Sequence, residues 1–536
     1  MRITDNRKNM SRLKKSMLNA RVNVFFFFLM LITAFFSRRI FLNSLGADFL
    51  GLTGTMESIL GFLNLAELGI GVAVSYTLYK PIFENKRNEI NEIVSVLGFL
   101  YRRIGQIVGG IGLIAGICIP LIFRNAPFPS GILYFSYLSL LTSSLLAYFI
   151  NYHIVLLNAD QRNYVITAYF QTSNIVKLCL QTAIAYYTKN YYLWILMEMI
   201  YGITYSIIIR RKIYKIYPWL QTDASRGGKM LKNYPGIIVR IKQIFVHKIG
   251  EFVLKQTDQL IIFAFVSLKM VAFYGNYTLI VSKVFLFLNN LMGNTGAGVG
   301  NLIAEGNKKS IRNIFWELMA LRYIMAFVVC FSLYHLLEPF IALWVGREYI
   351  LDKTILVFFI LNAFILCTRW TVDVFIAGFG LFKDTWAPCT EAGINLLLSV
   401  LLARRWGIAG VLAGTTVSSF LIVYIWKPYF LYREGMKSPL GEYWISVVKY
   451  TGIGIPAWFI STKFIENFFF VDPCKDYAHW LLFALIVSGT IFCTYYLLML
   501  ACSKGARNLT SRMKTEIIGS IRSKFKSRDF KFRKRN

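Results

Sequence analysis

Acid is scarce in this chain. Against 59 Lys and Arg it sets only 27 Asp and Glu over 536 residues, a formal net charge of +32. Its four histidines (His153, His247, His335 and His479) are scattered without metal-ligand spacing, so no metal centre is expected. No Gly-rich loop closing on Lys-Ser/Thr occurs, which excludes nucleotide hydrolysis by the chain itself. The eight cysteines lie mostly in apolar runs (Cys118, Cys179, Cys330, Cys367, Cys493) without paired spacing, and read as small buried hydrophobes. No polar loop is long enough to fold as a catalytic domain. The basic N-terminus shows no small-residue cleavage motif, so the first apolar span is expected to be retained. These absences point away from an enzyme and from any resident cofactor.

What the chain has in quantity is apolar length. Hydrophobic residues make up 56% of it and aromatics 16%. Roughly fourteen stretches, each about the 20 residues a helix needs to cross a hydrocarbon core, are separated by short charged gaps. Lipid offers no partner to backbone amides, so such repeats mean membrane-spanning helices. An all-α, polytopic membrane protein is therefore expected.

The basic excess sits beside the apolar spans, as it does where Lys and Arg hold loops on the cytoplasmic side. The N-terminal tail, Lys86–Arg87, the linker from Arg210 to Lys232, Lys308–Lys309 and the C-terminal tail all fall on one face, at roughly three basic residues to one on the other. Both termini are expected to be cytoplasmic. The expected organisation is a basic tail (1–19), a first lobe of six spans (20–215), a cytoplasmic linker (216–239), a second lobe of six spans (240–434), two further spans (440–502) and a second basic tail (503–536). The tails read as topology anchors attracted to anionic lipid, in preference to nucleic-acid binding. Weak internal similarity crosses the linker: FLGLTGTMESILGFLNL near Phe49 resembles FYGNYTLIVSKVFLFLNNL near Phe273. Two similar lobes suit a transporter with its site between them.

Charges inside spans cost about 2.5–3.5 kcal/mol each at the helix centre, so they should face a cavity or a partner. On the seventh span (Arg240–Leu268), His247, Lys248, Glu251, Lys255 and Asp258 fall within an arc of about 100°. This is either a self-neutralised stripe or the wall of a gate or binding site. The eighth span (Met270–Ala304) carries Asn276, Lys283, Asn290, Asn294 and Asn301 on one face. Its counterpart, the second span (Phe49–Lys80), carries Glu57, Gly61, Asn64, Glu67 and Gly71. Both stripes are readable as packing glue or as the lining of a hydrophilic cavity. The fifth span adds Asn174, Lys177 and Gln181, and the tenth adds Arg369 and Asp373 at i,i+4, the spacing of an internal ion pair. Arg38–Arg39 and Arg102–Arg103 sit near span ends, where snorkelling to headgroups would satisfy them.

Several passages, taken in order, resemble a known family. They are RRIFLNSLGADFLGLTGTMESILGFLNLAELGIG from Arg38, LYKPIFENKRNEINEI from Leu78, NADQRNYVITAYFQ from Asn158, LKQTDQLIIFAFVSLKMVAFYGNYTLI from Leu254 and GLFKDTWAPCTEAGINLLLSVLLARRWGIAGVLAGTTVS from Gly380. Together they resemble the Wzx-type polysaccharide flippases of the multidrug/oligosaccharidyl-lipid/polysaccharide exporter superfamily. The resemblance implies two six-helix bundles in a V plus two extra helices, in the bacterial inner membrane. It implies movement of undecaprenyl-diphosphate-linked oligosaccharide repeat units to the periplasmic leaflet by alternating access, for O-antigen, capsule or exopolysaccharide. Glycosyltransferases and a polysaccharide polymerase would be functional partners. The motif-matched positions are Arg39, Lys80, Asp160, Gln161, Arg162, Asp258, Tyr274, Glu391 and Asn395.

The expected cavity residues are then Arg39, Glu57, Asn64, Glu67, Asn174, Lys177, Lys248, Lys255, Asp258, Asn276, Lys283, Asn290, Asn294, Arg369 and Asp373. Lys80, Arg103, Asp160, Gln161 and Arg162 are expected at a cytoplasmic gate. Amides would pair with sugar hydroxyls and fixed cations with the diphosphate. Glu57, Glu67, Glu251 and Asp258 are candidate proton or sodium sites. A drug antiporter of the same fold, or a membrane polymerase or ligase of lipid-linked sugars, are the competing readings.

Overall fold

A computed structural model of the chain describes residues 12–67, 69–124, 126–292, 295–381, 383–468 and 471–515. Among them no strand occurs, and the chain divides into two compact units, Met1–Gly275 and Asn276–Asn536.

The first unit contains α1 (Arg12–Leu45), α2 (Ala47–Leu63), α3 (Ile70–Phe83), α4 (Arg87–Ile122), α5 (Ser130–Phe149), the short α6 (Ile154–Ala159), α7 (Asn163–Thr188), α8 (Tyr191–Ile216), the one-turn α9 (Gly227–Met230), α10 (Pro235–Phe265) and the start of α11 (Leu268–Met292). Two apolar cores hold it. One gathers Val74 and Leu78 of α3 with Ile93, Leu97 and Tyr101 of α4 and Ile209 of α8. The other joins Phe41, Leu52, Met56, Phe123, Tyr137 and Trp194. Because lipid is as apolar as leucine, close contact rather than water exclusion binds such helices. Gly51 shows the consequence: a Cβ there would collide with the Leu268 carbonyl.

The second unit continues α11 and adds α12 (Thr295–Ala304), α13 (Lys308–Trp344), α14 (Lys353–Gly378), α15 (Trp386–Trp406), α16 (Ile408–Ser419), α17 (Lys427–Phe430), α18 (Leu440–Phe468) and α19 (Tyr477–Cys502). Two π-turns, Phe420–Trp426 and Leu431–Met436, flank α17. Val487, Ile491, Tyr495 and Met499, one per turn, form the buried face of α19, and Phe315, Met319 and Tyr323 of α13 belong to the same core. Side chains cap the helix starts where backbone N–H groups lack partners. Asn307 accepts from the Ser310 amide at 3.1 Å, Asp352 from Thr354 at 2.7 Å and Asp476 from His479 at 2.8 Å.

Nine helices among the described residues are long and apolar enough to cross a membrane, or ten if the bent pair Ser130–Leu146 and Asn151–Ala159 is one span. The sequence suggested about fourteen on length and pattern. The difference lies in helices that form but are interrupted or rich in polar residues. The second span breaks into α2 and α3 around a 3₁₀ turn, Asn64–Glu67, and Gly69 at φ 93°. The helices α7, α10 and α18 are 26, 31 and 29 residues long but carry amides and charges. The protein is a multi-pass membrane protein.

The second basic tail, expected over 503–536, is described as far as residue 515. Residues 504–515 are helical, Ala506 is fully buried, Arg512 pairs with Glu317 at 3.0 Å, and the Ser503 hydroxyl donates to Tyr450 at 3.1 Å. The remaining expectation, for 516–536, lies outside the described residues.

Candidate functional site

Each unit carries its own knot of intramembrane charge. In the first, Lys177 of α7 donates to both oxygens of Glu198 on α8, at 2.8 and 3.0 Å. Gln181, one turn on, donates to the same carboxylate at 3.0 Å and to the Trp194 carbonyl at 3.1 Å. The Lys177 ammonium also lies 4.7 Å over the Tyr201 ring. Glu57 of α2 is exposed and within electrostatic range of Glu198, Lys177 and Arg38. Arg38 donates to the Ala272 carbonyl at 3.4 Å and packs where a Cβ on Gly275 would come within 2.8 Å. Two cations and two anions thus share one region, and Glu57 is the member left open.

In the second unit Asp373 of α14 takes Arg369 at 2.9 Å and Lys427 at 2.6 Å. Glu391 of α15 lies in range of the same three groups and accepts from Ser419 at 3.0 Å. Nearby on α15, Asn395 donates to Thr415 at 2.8 Å. Lys427 follows directly on the π-turn Phe420–Trp426. Again two cations and two anions meet.

Lys283 is among the cations that stand outside both knots. Lys283, midway along α11, is half-buried and has no hydrogen bond or ion pair among the described residues. Asp258 of α10, 8% exposed, accepts from the Tyr274 hydroxyl at 2.8 Å through one oxygen, while its other oxygen is buried without a partner. Asn276 is fully buried.

Other expected cavity residues are placed differently. Asn64 and Glu67, in the 3₁₀ turn that follows α2, are engaged by hydroxyls of their own unit. The Asn64 carbonyl oxygen accepts from Ser144 at 2.9 Å and Tyr148 at 2.7 Å, and Glu67 from Tyr101 at 2.9 Å. Among the described residues Asn174 reaches the Met30 sulfur, at 3.8 Å. Arg39 and Lys248 are exposed. The side chains of His247, Glu251, Lys255 and Asn290, and the whole of Asn294, lie outside the described residues.

Of the gate set, Asp160, Gln161 and Arg162 form one turn. Asp160 holds Arg162 at 2.6 Å and the Tyr217 hydroxyl at 2.7 Å. Gln161, at φ 58°, has its carbonyl tied to Asn19 of α1 at 3.3 Å. Lys80 is exposed 4.0 Å from Glu84, and Arg103 is exposed over Phe99. Neither touches the turn through a contact described here.

No protein-family model and no curated protein sequence matches the chain. Solved structures do. The chain is similar to the lipid II flippase MurJ in an inward closed conformation, with TM-score 0.63 and 14% identity over 90% of this chain and 99% of that one. It is similar to an inward-facing multidrug resistance MATE family transporter of the MOP superfamily, with TM-score 0.58 and 12% identity over 75% of this chain and 94% of that one. A mutant of the Vibrio cholerae MATE transporter VcmN gives TM-score 0.50 and 14% identity over 79% and 99%. The chain shares their fold. At such identity the likeness is one of architecture, and it agrees with the exporter-superfamily fold expected from the ordered sequence passages.

Within that fold, single-helix periodicity missed several partners. Glu198 and Lys427 lie on other helices, 21 and 54 residues along the chain from Lys177 and Asp373, and no spacing rule links them. Arg322 was missed although its signal was available, an arginine mid-way in the apolar α13. It is 2% exposed, stacks 3.9 Å over Trp370, and leaves Nε and Nη2 without hydrogen-bond partners.

Proposed function

We propose that this protein moves lipid-linked oligosaccharide repeat units, carried on undecaprenyl diphosphate, from the cytoplasmic to the periplasmic leaflet for surface-polysaccharide synthesis. The observation that carries the reading is Lys283. An ammonium at mid-helix with no partner among the described residues is costly in a bilayer, and a diphosphate is the ligand chemistry that offsets the cost. Lys283 belongs to neither of the balanced knots, so nothing in them neutralises it. The fold shared with a lipid II flippase over most of the chain supports the same cargo class. The prenyl chain needs no protein site, because it remains in lipid. Asp258, with one unmatched buried oxygen, is the carboxylate we assign to proton or sodium coupling.

The test is a clean deletion in a host without a second exporter. Lipid-linked units should accumulate facing the cytoplasm, and the wild-type gene should restore surface polysaccharide. Lys283→Arg should restore most of it and Lys283→Glu almost none, with all variants equally abundant in the membrane. Normal surface polysaccharide in the deletion sinks the reading. A second reading keeps the fold, which a multidrug resistance transporter shares, and makes the cargo a small cationic drug. A gain in drug sensitivity, with polysaccharide unchanged, would favour that cargo.

A further inference from the structure

Away from both charge knots, the second unit contains a cavity of about 870 Å³ at the start of α13, where α18 begins and α19 ends. Its floor includes Trp316 and Tyr450, and its rim is strongly basic. Lys308, Lys309, Lys437, Lys449 and Lys504 all line it and are all exposed, and none has an ion pair or hydrogen bond among the described residues. Arg312 is spoken for. It holds the single lining carboxylate, Glu442, at 2.7 and 2.8 Å, and the Trp316 indole N–H donates to that carboxylate at 2.9 Å.

The placement of these cations runs against helix electrostatics. The first turn of a helix favours anions, yet Lys308, Lys309 and Arg312 fall within the first five residues of α13, whose first turn holds no acid. Lys504 likewise opens the helical stretch 504–515. Water and salt screen the repulsion among five unmatched ammonium groups and two positive helix ends, and a bound anion would offset it directly. The chain's own last segment is no candidate, since 516–536 is itself rich in Lys and Arg. The position also fits a membrane boundary. Ile445 and Val448 of α18, 72% and 67% exposed beside Lys449, present the apolar surface that acyl chains cover.

We propose that this pocket binds the phosphate of an anionic phospholipid at the membrane surface, the headgroup in the basic rim and the acyl chains along α18. The site is independent of the transported cargo, so it stands or falls apart from the flippase reading. Each lysine near an anionic surface strengthens retention by about fivefold.

The experiment uses the full chain in nanodiscs of phosphatidylcholine, with and without phosphatidylglycerol. Native mass spectrometry reads co-purifying lipid, and thermal melting reads protection. Phosphatidylglycerol should be retained and should raise the melting temperature of the wild type. The triple variant Lys309→Gln/Lys449→Gln/Lys504→Gln should retain at least tenfold less and lose the protection, while melting no lower than the wild type in phosphatidylcholine alone. Lys463→Gln/Lys475→Gln, which changes lysines outside the pocket, should behave as the wild type. Should the triple variant fold poorly, the single Lys449→Gln protein gives the same comparison. Equal phosphatidylglycerol retention and protection in pocket variants and wild type overturns the proposal. Protection of detergent-solubilised protein by inorganic phosphate, equal to that by phosphatidylglycerol, overturns the lipid source and assigns the site to a soluble phosphate.

Discussion

Replacing Lys177 with Met should unfold the first unit more readily than any conservative change nearby, and the structure sets the size of the effect. The ammonium and the Glu198 carboxylate are 12% and 16% exposed and 2.8 Å apart. At an effective dielectric of about 20, unit charges at that separation attract by about 6 kcal/mol. Most of this is cancelled by the cost of desolvating both ions, so removing the pair together should be nearly neutral. Removing Lys177 alone is different. It leaves Glu198 inside the bundle with only the Gln181 amide, and breaking a buried pair in this way costs about 3–5 kcal/mol. Lys177→Met should therefore be severely destabilised, Glu198→Leu similarly so, and the double variant should recover most of the loss. Reversible unfolding in mixed micelles, analysed as a double-mutant cycle, measures the coupling. Additive losses in the double variant would refute the reasoning, since they would mean that each group is held by partners other than its mate.

Gly454→Leu should separate α18 from α13, because even a Cβ at Gly454 collides with the Phe327 ring; a loss of about 1–3 kcal/mol or more is expected, read as aggregation on size exclusion in detergent. Tyr274→Phe should leave both Asp258 oxygens unmatched and cost about 1–3 kcal/mol, whereas Asp258→Asn with Tyr274 intact should cost less, both measured by thermal unfolding. At the start of α19, hydrogen bonds from the His479 backbone and ring hold the Asp476 carboxyl below its ordinary range. Its lowered value means the cap is fully present above the usual carboxylate range and is lost as pH falls through the depressed one. Hydrogen exchange at Ala478–Trp480, corrected for intrinsic rates, should show protection vanishing only in strong acid, and Asp476→Ala should abolish that pH dependence.

The apolar runs made the fold class legible, because lipid permits one answer to unpaired backbone groups. Arg369–Asp373 was legible for a similar reason: i,i+4 spacing places both groups on one face, and they pair at 2.9 Å. Lys177 and Gln181 were recognised as sharing a face but not as partners of Glu198, since periodicity describes one helix and the partner belongs to another. The choice between Arg38 and Arg39 depends on the rotation of α1. That rotation is set by packing, which turns Arg38 toward the Ala272 carbonyl and leaves Arg39 exposed. Asn64 and Glu67 were legible as members of a stripe but not as acceptors for Ser144, Tyr148 and Tyr101, which belong to other helices. The second span was taken as one unbroken helix, and a 3₁₀ turn with left-handed Gly69 just beyond it divides that span.

The widened backbone before Lys427 ties chain length to electrostatics. A π-turn takes up more residues per revolution than an α-turn, so Phe420–Trp426 works as a vernier between α16 and the one-turn α17. Shorten it by a single residue and the tighter pitch becomes accessible, but the ammonium swings off its bearing on Asp373. Homologues trimmed at this point should accordingly carry their compensating cation at a neighbouring position, or have dispensed with the aspartate altogether.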